Sequence, residues 1–216
     1  MKKSLLLTAL AALLLSTAGA KDKAADKTNS TPEQSEANYT KAIEGRTADI
    51  LKILALTDAD KSAKVHDAII AQYRALKAWH ETNDANLKVA KADTNAVAQI
   101  RASLKTVHDA FIAKLSESLA PEQVEQVKDK MTYGKVQFTF AGYMAAYPNL
   151  SEEHQQKILE LLKQAREEAM DGGSADEKTA VFQKCKGKIN NYLSKQGIHP
   201  EKKNKMSQSE TNAPAK

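Results

Sequence analysis

Aromatic side chains are concentrated in one stretch of the sequence, residues 131–150. Five of the eleven aromatic residues of the chain fall there: Tyr133, Phe138, Phe140, Tyr143 and Tyr147. An aromatic ring offers a flat apolar face, and the tyrosine ring adds a hydroxyl that can form hydrogen bonds. We therefore expect Phe138 and Phe140 to hold the stretch in the core, while the tyrosines reach a surface.

Side chains with complementary chemistry occur elsewhere in the chain. Trp79 adds another large ring, and Arg46 and the pair Asn190-Asn191 add polar groups. Aromatic faces can stack on the apolar faces of sugar rings while polar groups fix the hydroxyls. The candidate ligand-binding residues are Arg46, Trp79, Tyr133, Tyr143, Tyr147, Asn190 and Asn191. The alternative is structural, with the stretch as an aromatic core and Arg46 at the edge of an apolar helix stripe.

Sequence motifs for catalysis and for metal binding are missing. The chain has no H-E-x-x-H, C-x-x-C, G-x-S-x-G or phosphate-loop pattern. No two of its five histidines lie three or four residues apart, the spacing that would place two metal ligands on one helix face. We therefore expect no enzymatic activity, no metal and no cofactor. A hydrolase with two carboxylates held across a cleft stays an alternative, although no pair stands out.

The N-terminus has the features of an export signal. Lys2 and Lys3 precede an apolar run at residues 5–15, and Ala18-Gly19-Ala20 matches a cleavage site. No later segment is long and apolar enough to span a bilayer. We predict an exported protein, periplasmic or extracellular, with no integral membrane segment after signal cleavage. Its predicted parts are a signal peptide (1–20), a disordered leader (21–35), a helical domain (36–197) and a disordered tail (198–216).

The charge of the chain argues against nucleic-acid binding. The formal net charge is +5, but residues 36–197 carry 23 basic and 22 acidic residues, so the excess lies mostly in the ends. Proteins that bind phosphate backbones need a concentrated basic face. We therefore expect no nucleic-acid partner.

Apolar residues recur at steps of three and four in five separate segments, which predicts amphipathic helices. The fold class is therefore all-α, a single-domain bundle of about six helices with disordered ends. The clearest stripe comprises Val97, Ile100, Leu104, Val107, Phe111 and Leu115. The polar triplet at residues 82–84 is expected to loosen or end the second helix.

Two local features need separate predictions. Residues 136–140 alternate like a strand, but a single strand would have no partner, so we expect a short helix preceded by an extended segment. Cys185 is the only cysteine and lies on one helix face with Phe182 and Ile189. We therefore expect its thiol to be buried.

Six stretches of the sequence resemble one exported bacterial family. They are L-T-D-A-D-K (56–61), H-D-A-F-I-A-K-L (108–115), P-E-Q-V-E-Q-V-K-D-K-M-T-Y-G (121–134), Y-P-N-L (147–150), A-R-E-E-A-M-D-G-G-S (165–174) and K-G-K-I-N-N-Y-L (186–193). Together they resemble the family catalogued as domain of unknown function 3826. The resemblance implies sugar binding and an association with polysaccharide utilisation, so an oligosaccharide or polysaccharide is the expected partner.

A second resemblance points to another class of protein. Residues 119–123, L-A-P-E-Q, are similar to the L-T-x-x-Q signature of small periplasmic stress chaperones of the Spy type. The leading hypothesis is a non-catalytic carbohydrate-binding protein. A chaperone-like holdase is the alternative, ahead of a glycan hydrolase.

Overall fold

The protein is described here by a computed structural model of residues 31–200, and all regular structure in that range is helical. Seven α-helices follow one another: α1 (Pro32–Leu54), α2 (Ala59–Val89), α3 (Thr94–Ser116), α4 (Pro121–Met131), α5 (Lys135–Ala146), α6 (Glu152–Met170) and α7 (Ala175–Lys195). A single 3-10 turn, Ala90–Ala92, joins α2 to α3. The predicted all-α class is confirmed, with seven helices where about six were expected.

The chain divides into two compact units, Met1–Asn38 and Tyr39–Lys216. The predicted signal peptide, residues 21–30 of the leader and residues 201–216 of the tail lie outside the described residues. Within the first unit, residues 31–38 form the exposed beginning of α1. The Gln34 N–H donates to Thr31 Oγ1, and the Thr31 N–H donates to Gln34 Oε1. This reciprocal capping, with proline in the first turn, starts α1 at Pro32 rather than near Glu36.

Helix α2 continues through the polar triplet at residues 82–84, where an end or a loosening was expected. The Thr82 hydroxyl donates to the Ala78 carbonyl at 2.9 Å. The Asn83 side chain donates to the Trp79 carbonyl, also at 2.9 Å. Both side chains bond to their own helix four residues back, so they do not draw the backbone into a turn.

The stripe predicted along α3 is buried only near its C-terminal end. Phe111 and Leu115 are buried. The four earlier members are half-buried: Val97, Ile100, Leu104 and Val107. Periodicity identifies the more apolar face of a helix, but the neighbouring helices decide how completely that face is covered.

The aromatic stretch forms α5 with no extended segment before it. Val136, Thr139 and Tyr143 lie at steps of three and four and form its buried face. Phe138 falls between these positions and is 79 % exposed, so the prediction that it holds the stretch in the core is wrong. Phe140 is half-buried against the second of two cores.

Buried side chains form two clusters. The first core combines residues of α1, α2, α3 and α4 with Met170 from the end of α6. The second core combines residues of α5, α6 and α7 and includes Cys185, whose predicted burial is confirmed. Ile198, the first residue of the predicted tail, packs against the second core. Helix α6 therefore contributes to both cores and fixes one relative to the other.

Candidate functional site

Two neighbouring cavities share three lining residues: Arg46 from α1, Tyr73 from α2 and Tyr133 from the α4–α5 junction. Their volumes are about 540 and 640 Å³. Both values lie in the range of small-molecule binding sites. Tyr39 from α1 also lines the larger cavity. We name the joined cavities the tyrosine groove, defined by Tyr39, Arg46, Tyr73 and Tyr133.

The first three groove residues hold one another in place. The Tyr39 hydroxyl donates to the Tyr73 backbone carbonyl at 2.6 Å, which ties α1 to α2. The Arg46 guanidinium carbon lies 5.8 Å from the centroid of the Tyr73 ring, a cation–π distance. Burial raises the pKa of Tyr73 to about 12, so its hydroxyl stays protonated at neutral pH and can donate a hydrogen bond.

Tyr133 has an unusual backbone conformation. It lies in the turn after α4 with φ of 60°, and Gly134 follows with φ of 63°. Glycine adopts this left-handed region freely, but a bulky side chain does so at an energetic cost. The Tyr133 side chain is nevertheless 49 % exposed and lines both cavities. Strain of this kind is frequent at functional sites, where it positions a side chain.

Lys178 is buried in the wall of the larger cavity. Only 5 % of the residue is exposed. Its Nζ donates to the Met170 carbonyl at 3.1 Å, at the C-terminal end of α6. Burial lowers the pKa of Lys178 to about 8, because the charged ammonium loses hydration.

His80 forms a polar cluster at the end of the same cavity. Its Nε2 donates to the Asp171 carbonyl at 2.7 Å, and its Nδ1 lies 2.9 Å from Asp84 Oδ1. Burial lowers the pKa of His80, but these two hydrogen bonds outweigh it and place the pKa above its ordinary value.

A cation could approach His80, Asp84 and Glu177, because their ligand atoms lie within 4.8 Å of one another. However, Asp84 faces His80, and Glu177 Oε2 accepts the Gly173 N–H at 2.8 Å. These bonds account for the arrangement without a metal ion.

The smaller cavity includes Asp129, which is held by Arg166 from α6. Arg166 Nη1 donates to Asp129 Oδ1 at 2.6 Å, and Nη2 donates to Glu125 and Glu167. Burial lowers the pKa of Arg166, but the hydrogen bonds to these carboxylates outweigh it and raise the pKa overall. The Asp129 carboxylate is therefore fixed and neutralised by its partner rather than left to react.

The family model described as a protein of unknown function (DUF3826) matches residues 40–213. The chain belongs to the DUF3826 family. No curated protein matches the chain. The matched region contains three of the four residues that define the tyrosine groove, Arg46, Tyr73 and Tyr133, and Tyr39 lies immediately before it.

In this DUF3826 chain, two of the sequence-predicted site residues, Arg46 and Tyr133, meet in the tyrosine groove. Trp79 does not line it. The Trp79 ring is buried against α3, where its Nε1 donates to Ser103 Oγ at 2.8 Å. The ring also lies edge-on to His80, with centroids 5.0 Å apart. Trp79 therefore packs against a residue that lines the larger cavity without lining the cavity itself.

The other predicted residues lie at the second core. The Tyr143 hydroxyl donates to Asn190 Oδ1 at 2.8 Å and to the Lys186 carbonyl at 3.2 Å, and Tyr143 is buried. Tyr147 stacks on Tyr143 with ring centroids 6.0 Å apart, and Asn191 is exposed on α7. This cluster joins α5 to α7, and neither cavity of the groove includes it.

Sequence reasoning missed four groove residues of the DUF3826 chain: Tyr39, Tyr73, His80 and Lys178. Tyr39, Tyr73 and His80 lie in apolar helix stripes, which made them look like ordinary core positions. Lys178, however, could have been found from the sequence, because it lies in line with an apolar helix stripe. It lies four residues before Phe182, on the face of α7 that continues to Cys185 and Ile189. A lysine in line with a core stripe is uncommon, because lysine is rarely fully buried.

Proposed function

We propose that the protein binds carbohydrate in the tyrosine groove and does not catalyse a reaction there. One observation carries the proposal: Tyr133 is half-exposed on a strained backbone and faces a cavity shared with Arg46 and Tyr73. Sugar rings have apolar faces that stack on tyrosine rings, and their hydroxyls accept hydrogen bonds from arginine and tyrosine. The family resemblance to proteins associated with polysaccharide utilisation supports the same conclusion.

The pairing of the carboxylates supports a binding role rather than a hydrolytic one. The two cavities are lined by four acids: Asp49, Glu81, Asp84 and Asp129. Three of them lie in ion pairs: Glu81 with Lys77, Asp84 with His80, and Asp129 with Arg166. Glycoside hydrolysis needs two carboxylates held across the substrate, one of them protonated and one ionised. Among these described acids, Asp49 alone stands outside an ion pair.

Export is part of the same proposal and rests on the signal-like N-terminus. Polysaccharides too large to cross a membrane are met outside the cytoplasm. None of the helices between residues 31 and 200 combines the length and the apolar character needed to cross a membrane.

The test is a glycan array probed with the full chain and with two variants. Tyr133→Ala removes the half-exposed ring of the groove, and we expect it to weaken binding to any glycan that the unmodified protein retains. Phe138→Ala is the matched control, because Phe138 is an exposed aromatic residue outside the groove. Equal losses in both variants would move the site away from the groove. Sequestration of an unfolded client by stoichiometric protein, with no glycan bound, would favour the chaperone alternative.

A further inference from the structure

Lys178 is a buried cation without an acidic partner. Among residues 31–200, Lys178 forms no ion pair with a carboxylate, and its hydrogen bond to the Met170 carbonyl uses one of three N–H groups. The negative end of the α6 dipole explains part of its burial, since cations are favoured at helix C-termini. Even so, a buried ammonium is normally paired, because losing its hydration is costly.

Arg46 is a further cation of the groove without an acidic partner within the described range, as are the exposed residues Lys88 and Lys130. Its guanidinium lies over the Tyr73 ring, and it lines both cavities. Burial is the main cause that lowers the pKa of Lys178. The charge of Asp171 opposes it, the charge of Arg46 lowers the pKa further, and the charge of Glu177 opposes this in turn. Two cations that face one cavity and repel each other are both stabilised by an anion between them.

The acids that line the larger cavity do not supply that anion. Glu81 lies 3.0 Å from Lys77 Nζ, and Asp84 lies 2.9 Å from His80 Nδ1. Asp171, at the end of α6, pairs with His108 Nδ1 at 3.0 Å. Glu177, whose charge also acts on Lys178, accepts the Gly173 N–H at 2.8 Å and lies 3.9 Å from His80 Nδ1. None of these acids forms an ion pair with Arg46 or Lys178, so both cations are available to an anionic ligand.

We propose that the tyrosine groove selects an acidic sugar, whose carboxylate or sulfate group binds between Arg46 and Lys178. The proposal rests on carbohydrate binding in the groove and adds the class of sugar. A guanidinium offers paired N–H donors that match the oxygens of a carboxylate or a sulfate. The Lys178 ammonium adds a point charge in a partly dehydrated site, where such a contact is stronger than in water. The tyrosines supply the ring contacts to the rest of the sugar.

The experiment measures calorimetric affinity of the full chain for three oligosaccharides of equal length: an oligogalacturonate, a κ-carrageenan fragment, which carries sulfate esters and no carboxylate, and a neutral cello-oligosaccharide. We expect one of the anionic probes to bind at least about tenfold more tightly than the neutral one, as charge-assisted hydrogen bonds imply. The two anionic arms separate a carboxylate from a sulfate ester.

Two variants and two matched controls test whether Arg46 and Lys178 cause the preference for an anionic probe. Arg46→Gln and Lys178→Met should each weaken binding of the anionic probe by a larger factor than binding of the neutral probe, which reduces the preference for the anionic one. Arg101→Gln and Lys184→Gln remove exposed cations of α3 and α7 outside the groove. They should change neither the affinity for the anionic probe nor the affinity for the neutral probe. Arg46 is exposed, so its variant decides the question even if Lys178→Met does not fold.

Three results would overturn the proposal. Equal affinity for neutral and anionic probes would remove the acidic-sugar subsite and leave the carbohydrate-binding function standing. An anionic preference that survives both variants, or falls equally in the controls, would place the anion elsewhere on the surface. Failure to bind any of the three probes, together with an empty glycan array, would remove both the subsite and the proposed function.

Discussion

Among single residues, Tyr133 combines an unfavourable backbone conformation with a side chain that lines the groove. Its φ of 60° is a conformation that glycine adopts freely and that costs other residues roughly 1–2 kcal/mol. Gly134, next to it, already supplies one left-handed residue at the α4–α5 junction. A second glycine would make the same turn with less strain. The tyrosine therefore places a half-exposed ring in the groove at the expense of stability, as is frequent at binding sites.

The first prediction compares two substitutions of Tyr133. Both remove the ring, but Tyr133→Ala keeps the left-handed penalty and Tyr133→Gly relieves it. We expect the glycine variant to be more stable than the alanine variant by about 1 kcal/mol in urea unfolding. At an ordinary helix position the order would be reversed, since glycine is the weaker helix former there. An alanine variant more stable than the glycine variant would mean that Tyr133 is not strained.

The second prediction concerns Phe138 and Tyr143, whose roles are the reverse of those that the sequence indicated. Tyr143 is buried in the second core with its hydroxyl bonded to Asn190, whereas Phe138 is 79 % exposed. We expect Tyr143→Ala to cost about 3–5 kcal/mol of unfolding free energy. Phe138→Ala should change it by less than about 0.5 kcal/mol. Tyr143→Phe, which keeps the ring, separates the hydrogen bond from the packing. Similar losses at Phe138 and Tyr143 would contradict this assignment.

At the scale of helices, Asp171 connects three elements through polar contacts. It follows the end of α6, its carbonyl accepts a hydrogen bond from His80 of α2, and its carboxylate faces His108 of α3 at 3.0 Å. The starts of α6 and α7 could be predicted from the local sequence. Ser151 and Ser174 are the N-cap residues of these helices, and acidic residues follow each of them in the first turn. A contact between residues 63 positions apart in sequence leaves no such local signal.

The third prediction is a pH dependence of this connection. The hydrogen bond from Asp171 raises the pKa of His108 above its ordinary value, and burial opposes it only in part. Because the folded-state pKa is the higher one, the stabilisation is fully present below about pH 6.5 and is lost as the pH rises through the folded-state pKa. We expect His108→Gln to be less stable than the unmodified protein at about pH 5.5, with a smaller difference at about pH 8.

Urea unfolding of both proteins across this pH range checks the third prediction. His199→Gln is the control, because His199 is exposed after α7 and outside the Asp171 cluster. A stability difference between the His108 variant and the unmodified protein that does not change with pH would show that His108 acts by packing alone.

At the scale of the whole molecule, the tyrosine groove is assembled from α1, α2, the α4–α5 junction and the beginning of α7. Helical periodicity predicted most of these elements, because each helix needs an apolar face to pack. It could not predict which faces meet. Arg46 and Tyr133 were recognised by chemistry alone, whereas Tyr39 and Tyr73 resembled core residues. The burial of Tyr143 could not be predicted, because an aromatic cluster in sequence looks the same whether it lines a site or fills a core.

The fourth prediction concerns Lys178, whose surroundings come from several parts of the chain. Neighbouring helices bury it, Asp171 and Arg46 act on its charge in opposite directions, and the Met170 carbonyl of α6 accepts its hydrogen bond. Burial lowers its pKa from 10.5 to about 8 in the folded protein. The folded state therefore binds this proton more weakly than the unfolded chain. The resulting penalty is fully present below about pH 8 and disappears as the pH rises through about 10.5, the opposite sign to His108.

Lys178→Met keeps an unbranched side chain of similar length and removes the proton. We expect the stability of the unmodified protein, measured against this variant, to rise by roughly 2 kcal/mol between about pH 7 and about pH 9.5. This range ends below the pKa of about 12 that burial gives Tyr73 and Tyr143, so tyrosine ionisation in the folded protein does not contribute. Lys184 is an exposed lysine of the same helix and serves as the control. The stability of Lys184→Met should change with pH in the same way as that of the unmodified protein. If the stability of Lys178→Met also changes with pH as that of the unmodified protein does, Lys178 is hydrated in solution, and the buried cation that we assign to the groove does not exist.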